Sequence, residues 1–426
     1  MKKSYPLVII SYPALMMTLA SCGNADEKKR AEDNDSQIQQ TKVEINYSDY
    51  SGKIKDAVTC DSDVSLSYCL YLPADYSSGK KFPVIFIFDA HGEGNLPVNK
   101  YKSLAEEFGI VLAASNNSKN GLPYDAIQRI ASAMIVDAQK KLTLDSARRF
   151  TMGFSGGARV AGFIASHERN FAGAIGCGAE YLDEAMKNIP GFFCFGFAGN
   201  DDFNMLEMLR SQEHMANTGL KNYFFVFDGR HEWPDSSLMR NAFMMMSSVE
   251  AKQKEALRKK IAASVPAKFS QKKIFADEEM KQKKFIDAFT AENIQWWKNE
   301  IATLNLCGRD NNRDRESMHS CRRQLAYIGL AIYSYSNNAI NNHQDAFAQK
   351  YLEIYRLADE KNSEQRFMEA VLKSRQGNNS AAIILLAEAV HLGFNDFSRI
   401  ENHPDLQNLK GLEGYAQIFS GIKPQP

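Results

Sequence analysis

The chain has 426 residues, of which 44% are hydrophobic and 24% are charged, and its 51 basic residues balance its 51 acidic residues. This length and apolar fraction are enough for two domains with ordinary cores. The formal net charge of zero argues against nucleic-acid binding, because proteins that bind nucleic acids carry an excess of Lys and Arg to neutralise phosphates.

The first 21 residues have the features of an export signal. Met1, Lys2 and Lys3 precede an apolar segment that ends at Ala20 and is broken by two prolines. A segment this short and interrupted is a poor membrane span, but it is typical of a signal peptide. We therefore predict that residues 1 to 21 direct export.

The signal segment ends in LASC, which resembles the lipobox of bacterial lipoproteins. The resemblance implies that Cys22 is lipidated and becomes the first residue of the mature chain, which would anchor it to a membrane. Gly23 stands where an aspartate would indicate retention at the inner membrane, so we expect the outer membrane. A signal peptide without lipidation is the alternative. Residues 22 to 45 are almost entirely polar, which predicts a flexible tether.

Residues 46 to 248 alternate between apolar strands and helical segments. This alternation predicts an α/β domain with a doubly wound, mostly parallel sheet. The predicted strands lie within residues 82–94, 109–117, 148–154, 172–180, 191–201 and 222–233. The clearest helix is predicted over 123 to 142, where apolar residues from Ile127 to Ala138 form one stripe.

Three polar motifs follow predicted strands in the order found in one class of serine hydrolases. Ser155 lies in GFSGG, Asp202 closes GNDD, and His231 lies in GRHE. A serine hydroxyl needs a neighbouring base to take its proton, and the base needs an acid to orient it. The glycines around Ser155 suit the sharp, strained turn that carries such a serine. We predict a catalytic triad of these residues, with Asp201 as the alternative acid and a plain glycine-rich turn as the competing interpretation of GFSGG.

The residues around the three motifs resemble a known family. DAHG after one strand, GFSGGAR at the turn, GNDDFN after a later strand and GRHEWP after the last are similar to α/β-hydrolase esterases, especially the branch of polyhydroxybutyrate depolymerases and feruloyl or acetylxylan esterases. The match covers roughly residues 66 to 245. It implies an α/β-hydrolase fold with Ser155 as nucleophile, Asp202 as acid and His231 as base. Arg230 replaces a glycine of the family's pattern, so the resemblance leaves the substrate class open.

Negative charge develops on the carbonyl oxygen of an ester during attack, so hydrogen-bond donors are expected near Ser155. One donor is expected from the amide of Gly156, directly after the serine. The other is expected from the backbone of the loop after the first long strand, where His91 and Gly92 stand at the place of the family's HG motif. A plain loop histidine is the alternative role for His91.

Three aromatic residues near the motifs are candidates for a substrate pocket: Phe203, Trp233 and Tyr181. Simple core packing is the competing role for each of them. No cofactor is predicted, because triad chemistry needs none. No metal is predicted either, because the eight histidines form neither HExxH nor paired spacings with cysteines.

The cysteines fit an exported protein. Cys60 and Cys69 flank a turn-like DSDVS, and Cys307 and Cys321 bracket a polar loop, so both pairs are interpreted as short disulfide loops. Two further cysteines lie inside apolar strands and are expected to be buried thiols: Cys177 and Cys194.

Residues 249 to 426 differ in composition, because glycine becomes scarce and apolar residues recur at helical spacing. This predicts a separate all-α domain. Segment 369–394 resembles a tetratricopeptide unit, with matching small or apolar residues at Ala370, Gly377, Ala382, Leu386 and Ala389. Phe394 stands where that consensus has proline. A groove for a protein partner and simple packing against the α/β domain are both open as roles.

The motifs predict an exported, lipid-anchored enzyme that cleaves small-molecule or polymeric carboxylic esters through an acyl-enzyme. Peptidase or lipase chemistry is the alternative within enzymes, since fold and triad are shared across chemistries. The alternative outside enzymes is a non-catalytic scaffold that binds partners through its helical domain. No nucleic-acid partner is expected.

Overall fold

The computed structural model describes residues 46–168, 170–216, 218–248, 255–257, 259, 261 and 272–420. The predicted signal peptide at 1–21, the tether at 22–45 and the lipidation site Cys22 lie outside the described residues. Among the helices in the described ranges, none combines the length and apolarity that a membrane crossing requires.

A single sheet of eight strands organises the first half of the described residues. The strands are β1 (Ile54–Cys60), β2 (Asp63–Tyr71), β3 (Phe82–Phe88), β4 (Val111–Ser115), β5 (Leu144–Phe154), β6 (Gly173–Cys177), β7 (Phe193–Gly199) and β8 (Lys221–Phe227). Their order across the sheet is β1-β2-β4-β3-β5-β6-β7-β8. Strand β2 is antiparallel to both neighbours and the remaining neighbours are parallel. The mostly parallel sheet is confirmed, and the β1–β2 hairpin is additional to the six predicted strands.

Helices cover both faces of the sheet. They are α1 (Asn95–Phe108), α2 (Tyr124–Lys141), α3 (Gly156–His167), α4 (Met205–Met215) and α5 (Ser236–Ser247). Strand β3 shows why both faces are covered. Its successive side chains point to opposite faces of the sheet, and all of them are buried. Val84 and Phe86 join the core that α2 and α3 cover, whereas Ile85 and Ile87 join the core that α1 and α5 cover.

The second half of the described residues is helical. Its helices are α6 (Lys272–Ala291), α7 (Ile294–Cys307), α8 (Arg315–Asn341), α9 (Asp345–Ala358), α10 (Ser363–Arg375), α11 (Asn379–His391), α12 (Phe397–Asn402) and α13 (Gln417–Ser420). They enclose a hydrophobic core of their own, in which Trp297 stacks on Phe289 with ring centroids 4.8 Å apart. We call residues 272–420 the helical part of the structure.

Helices α10 and α11 form a hairpin over the segment that resembles a tetratricopeptide unit. Gly377 sits in the turn between them with φ 77°, a conformation that suits glycine. Ala370 and Ala382 are fully buried where the two helices face the core. Phe394 stacks on Phe367 with ring centroids 4.6 Å apart, so an aromatic contact fills the place of the consensus proline.

One of the two predicted disulfides is present. Cys307 at the end of α7 is bonded to Cys321 on α8. The predicted Cys60–Cys69 disulfide is wrong, because both thiols are free and buried. In the β1–β2 hairpin Cys60 pairs with Asp63, so Cys69 lies about 20 Å further along β2, well beyond disulfide reach. The prediction of buried thiols is confirmed for Cys177 and Cys194.

A buried ion pair ties the helical part to the sheet. The guanidinium of Arg323 on α8 has no exposed surface, donates to the Glu278 carboxylate on α6 at 2.9 Å and donates to the Asn200 carbonyl after β7 at 2.6 Å. Glu316 on α8 also pairs with it. Burial raises the pKa of Glu278, although the hydrogen bonds and charge of Arg323 act in the opposite direction. Glu278 therefore depends on Arg323 to carry its charge in the interior.

Arg323→Met is expected to lower the free energy of unfolding by about 3–5 kcal/mol, because it leaves Glu278 buried without its cation. Adding Glu278→Leu should recover part of the loss, since Glu278 is then no longer a buried, unpaired charge, although Glu316 and the Asn200 carbonyl still lack the guanidinium. Arg356→Met is the matched control: the Arg356 side chain is 45% exposed and its guanidinium lies 3.8 Å from Glu369, so the loss should stay below about 1 kcal/mol. Urea denaturation measures all three variants, and a double variant no more stable than Arg323→Met would contradict this account.

Candidate active site

The turn between β5 and α3 carries Ser155 in a strained conformation. Strand β5 ends at Phe154, α3 begins at Gly156, and the serine between them has φ 53° and ψ −125°. A positive φ is uncommon for a residue with a side chain and costs about 1–3 kcal/mol. The rest of the turn must therefore hold this conformation in place.

Backbone atoms leave no space for a side chain at Gly153 or Gly157. A Cβ on Gly153 would lie 2.0 Å from the carbonyl oxygen of Gly157, and a Cβ on Gly157 would lie 2.0 Å from that of Phe88. A Cβ on Gly156 would lie 1.7 Å from the side-chain oxygen of Asn120. The elbow geometry predicted from GFSGG is present, and the side chain of Asn120, which the sequence did not single out, lies against Gly156.

The structure joins Ser155, His231 and Asp202 in one chain of hydrogen bonds. The Nε2 atom of His231 lies 2.9 Å from the Ser155 hydroxyl, and its Nδ1 atom lies 3.0 Å from each carboxylate oxygen of Asp202. With Nδ1 protonated, the imidazole donates to Asp202 and accepts from Ser155. The imidazole is 20% exposed and the Asp202 side chain only 1%. Such an arrangement can take a proton from the serine and stabilise the imidazolium that results.

The carboxylate of Asp202 is fixed from several directions. Burial raises its pKa, while the hydrogen bonds from His231 and from the Asn204 amide lower it. The Asn204 amide donates at 2.8 Å, and the Asn204 side chain donates to the Gly178 carbonyl at 2.8 Å. The loop after β7 is therefore tied to the loop after β6, and Asp202 has little freedom to turn away.

The alternative acid, Asp201, points away from His231 and towards the helical part. Its carboxylate lies 2.6 Å from Nδ1 of His319 and 3.5 Å from the guanidinium of Arg322, both on α8. Its backbone N–H donates to the Gly229 carbonyl at 2.9 Å. The two adjacent carboxylates, Asp201 and Asp202, thus have separate partners. No local motif could have indicated His319, because it lies 118 residues further along the chain.

The loop after β3 contradicts part of the predicted oxyanion hole. The His91 amide donates to the Asp89 carboxylate at 2.8 Å, and the Gly92 amide points to the Asp89 carbonyl at 3.4 Å. Because Asp89 engages both amides, neither His91 nor Gly92 is free to donate to a substrate oxygen in this structure. The Gly156 amide is different, since first-turn amides of a helix have no acceptor within it.

Asp89 is a buried anion that the sequence did not identify as a site residue. Its carboxylate also accepts from the indole N–H of Trp233 at 3.0 Å. Burial acts to raise the pKa of Asp89, but the hydrogen bonds from His91 and Trp233 outweigh it and lower the pKa. Conversely, the bond to Asp89 raises the pKa of His91, whose imidazole is largely exposed. Asp89 therefore fixes the loop of His91 against the segment that follows His231.

A cavity of about 820 Å³ lies beside His231, between the loops that end β7 and β8 and the helical part. We call it the junction cavity. Phe203 lines it, with its ring centroid 4.2 Å from that of the His231 imidazole. The other two aromatic candidates are in the core: Trp233 is 7% exposed, and Tyr181 is 4% exposed and hydrogen-bonds to Asn222. Of the three, Phe203 alone borders this cavity.

No protein-family model matches the chain. No curated protein matches it either.

Several solved structures are similar to part of the chain. A ferulic acid esterase has 16% identity and a TM-score of 0.38, over 46% of this chain and 98% of its own. A fluorophosphonate-binding serine hydrolase of Staphylococcus aureus has 14% identity and a TM-score of 0.36, over 43% of this chain and 93% of its own. A feruloyl esterase module of Clostridium thermocellum has 16% identity and a TM-score of 0.35, over 43% and 83%. Similarity at this level transfers no activity to the chain.

Proposed function

We propose that this chain is a serine hydrolase of α/β-hydrolase type that cleaves carboxylic esters through an acyl-enzyme. The observation that carries the proposal is the hydrogen-bonded chain from Ser155 through His231 to Asp202, with the serine on a strained turn. The positive φ at Ser155 costs stability, so a functional role is expected for it. In a nucleophile elbow, this strained turn exposes the serine hydroxyl.

In the proposed reaction, Nε2 of His231 takes the hydroxyl proton as Oγ of Ser155 bonds to the ester carbonyl carbon. The carbonyl π electrons move to the oxygen, and the Gly156 amide stabilises that oxyanion, a contribution of about 3 kcal/mol for one donor. The tetrahedral intermediate collapses, the bond to the alkoxy oxygen breaks, and His231 returns its proton to that oxygen. Water, deprotonated by His231, then attacks the acyl carbon. The bond from that carbon to Oγ of Ser155 breaks, His231 returns the proton to Oγ, and the acid is released.

Asp202 holds the imidazole in the required tautomer during these steps. Its carboxylate accepts the Nδ1 proton, so Nε2 keeps the lone pair that Ser155 needs. The positive charge that forms on His231 lies next to the buried Asp202 carboxylate, where little water is present to weaken the attraction. Asp202 thus lowers the energy of the charged intermediate without itself gaining the proton.

The complete set of interactions favours an enzyme over a scaffold. A scaffold would need neither a positive φ at Ser155 nor a buried Asp202 aligned with His231. Peptidases and lipases use the same groups, and the ester assignment over them rests on the resemblance of GFSGGAR and GRHEWP to esterase motifs.

Cellular position is part of the proposal. We place the protein in the cell envelope, anchored through lipid on Cys22 and held at the outer membrane, on the basis of the LASC sequence and Gly23. The Cys307–Cys321 disulfide supports an oxidising compartment, where such bonds persist. A catalytic unit tethered by residues 22 to 45 would meet its substrates outside the cytoplasm.

Fluorophosphonate labelling of the full chain tests the nucleophile. The probe is expected to form an adduct at Ser155, because only a serine with an adjacent base is activated enough to react. Mass spectrometry of peptides locates the adduct, and Ser155→Ala is the control. Folded protein that stays unlabelled, or a label on another serine that persists in Ser155→Ala, would refute the proposed nucleophile.

Replacing each of the two adjacent acids in turn tests the triad. Asp202→Asn is expected to lower kcat for an aryl acetate by about 10⁴-fold, because the amide favours the wrong imidazole tautomer. Asp201→Asn should have a far smaller effect, since Asp201 bonds to His319 and Arg322 and not to His231. Steady-state kinetics on both variants decide between them, and a larger loss in Asp201→Asn would overturn the assignment.

Cys22→Ser tests the anchor. The variant is expected to move from the membrane fraction to a soluble fraction, because several acyl chains at about 0.8 kcal/mol per buried methylene are lost with the thiol. Fractionation with detection of the chain measures this. Continued sedimentation with membranes at high salt would show that another feature anchors it.

A further inference from the structure

The junction cavity is built by both parts of the chain. Phe203, Arg230 and His231 border it from the sheet, and helix α8 borders it from the helical part. The α8 residues on its wall recur at helical spacing and form one stripe: Arg322, Leu325, Ala326, Gly329, Leu330 and Tyr333. A whole face of α8 is therefore turned towards the space beside His231.

The position of the cavity identifies which half of an ester it would receive. His231 must deliver its proton to the alkoxy oxygen, so the alcohol group lies on the histidine side of the scissile bond. The cavity borders His231 and Phe203. An alcohol group that leaves the carbonyl carbon on this side would therefore enter the junction cavity.

Three arginines converge on the cavity. Arg230 precedes His231, Arg309 follows α7, and Arg322 lies on α8 with its Nε bonded to the Gly308 carbonyl at 2.8 Å. Within the described residues, the side chains of Arg230 and Arg309 have no carboxylate within ion-pair distance. Their positive charges are thus available to a ligand.

Two carboxylates also border the cavity and offset part of this charge. Asp201 is already bonded to His319 and to Arg322. Asp359 accepts a hydrogen bond from the Asn362 side chain at 2.9 Å. Outside the wall, the Glu232 carboxylate accepts the backbone N–H of Arg230. With Arg322 and Asp201 paired, the cavity wall keeps two further cations, Arg230 and Arg309, against one further anion, Asp359.

We propose that the junction cavity binds the alcohol group of the ester and that this group carries an anion, such as a carboxylate, sulfate or phosphate, beside an apolar or aromatic body. This deepens the proposed hydrolase function and rests on it. Guanidinium groups match the geometry of such oxyanions and bind them with two parallel hydrogen bonds. Leu325, Leu330 and Tyr333 supply apolar contact for the body.

Two matched aryl acetates test the charge preference with the full chain. Both 4-acetoxybenzoate and its neutral partner 4-acetoxybenzamide form the same acetyl-enzyme, so only the leaving alcohol differs. After correction for their rates with hydroxide, kcat/KM for the anionic ester is expected to be about tenfold higher, chiefly through a lower KM, and the ratio should shrink with added salt. A ratio near one overturns the proposal.

Arginine variants test which residues cause the preference for the anionic ester. In Arg230→Gln and Arg309→Gln the ratio is expected to fall towards one. Arg313→Gln is the matched control, because Arg313 is a half-exposed arginine near α7 that pairs with Asp310 and does not border the cavity. A ratio that Arg230→Gln and Arg309→Gln leave intact would contradict the assignment. So would a preference on the acyl side, measured by comparing phenyl hemisuccinate with phenyl butanoate.

Binding separates failure of this inference from failure of the hydrolase proposal. If neither acetate is cleaved and Ser155 resists fluorophosphonate, the hydrolase proposal fails. Calorimetry of the full chain with 4-hydroxybenzoate and 4-hydroxybenzamide then still tests the cavity: tighter binding of the anion, lost in Arg309→Gln, supports the site. Equal binding of both phenols overturns it.

Discussion

Two adjacent carboxylates with different partners connect the sheet part and the helical part of this structure beside the proposed triad. Asp202 accepts from His231 within the sheet part, and Asp201 accepts from His319 in the helical part. Neighbouring residues in an extended or turning backbone point their side chains in different directions, so one short loop can serve both. The loop after β7 is therefore the place where the imidazole of His231 and helix α8 are positioned relative to each other.

The neighbouring Asn200 extends the same connection. Its carbonyl accepts from Arg323, its side chain lies 3.2 Å from His319, and its side-chain oxygen accepts the Gly229 amide. Gly229 lies two residues before His231, so the loop of Asp202 and the loop of His231 are hydrogen-bonded to each other, and Asn200 also connects them to α8. A shift of α8 would reach the hydrogen bonds of the proposed triad directly.

Much of the candidate site could be predicted from sequence because it is local. GFSGG specifies a turn in which Gly153 and Gly157 avoid collisions with backbone atoms, and strands β3, β4, β6 and β7 are buried on both faces, which makes their apolar runs continuous. Asp201 and Asp202 could not be separated in this way, because both stand in GNDD and their partners are set by packing. The contact between Asp202 and His231 forms only because β7 and β8 lie side by side.

The errors of the sequence interpretation have physical causes as well. Strand β1 alternates irregularly between exposed and buried residues and has register shifts, so it gave no clear strand pattern, and Cys60 and Cys69 looked like turn neighbours. The donors expected from His91 and Gly92 are taken by Asp89, whose burial is a tertiary property. The hydrogen-bond partners of these residues depend on contacts that spacing does not encode.

The buried Arg323 bears on the role of the helical part. A buried ion pair adds little net stability compared with apolar side chains of the same volume, so stability is a weak reason for one. Arg323, however, also donates to the Asn200 carbonyl, which an apolar residue could not do. Its guanidinium supplies a donor at the base of the loop that carries Asp201 and Asp202, and Glu278 keeps that guanidinium in place. This favours packing of the helical part against the sheet as its first role, since the same helix α8 that secures the loop also supplies a wall of the junction cavity.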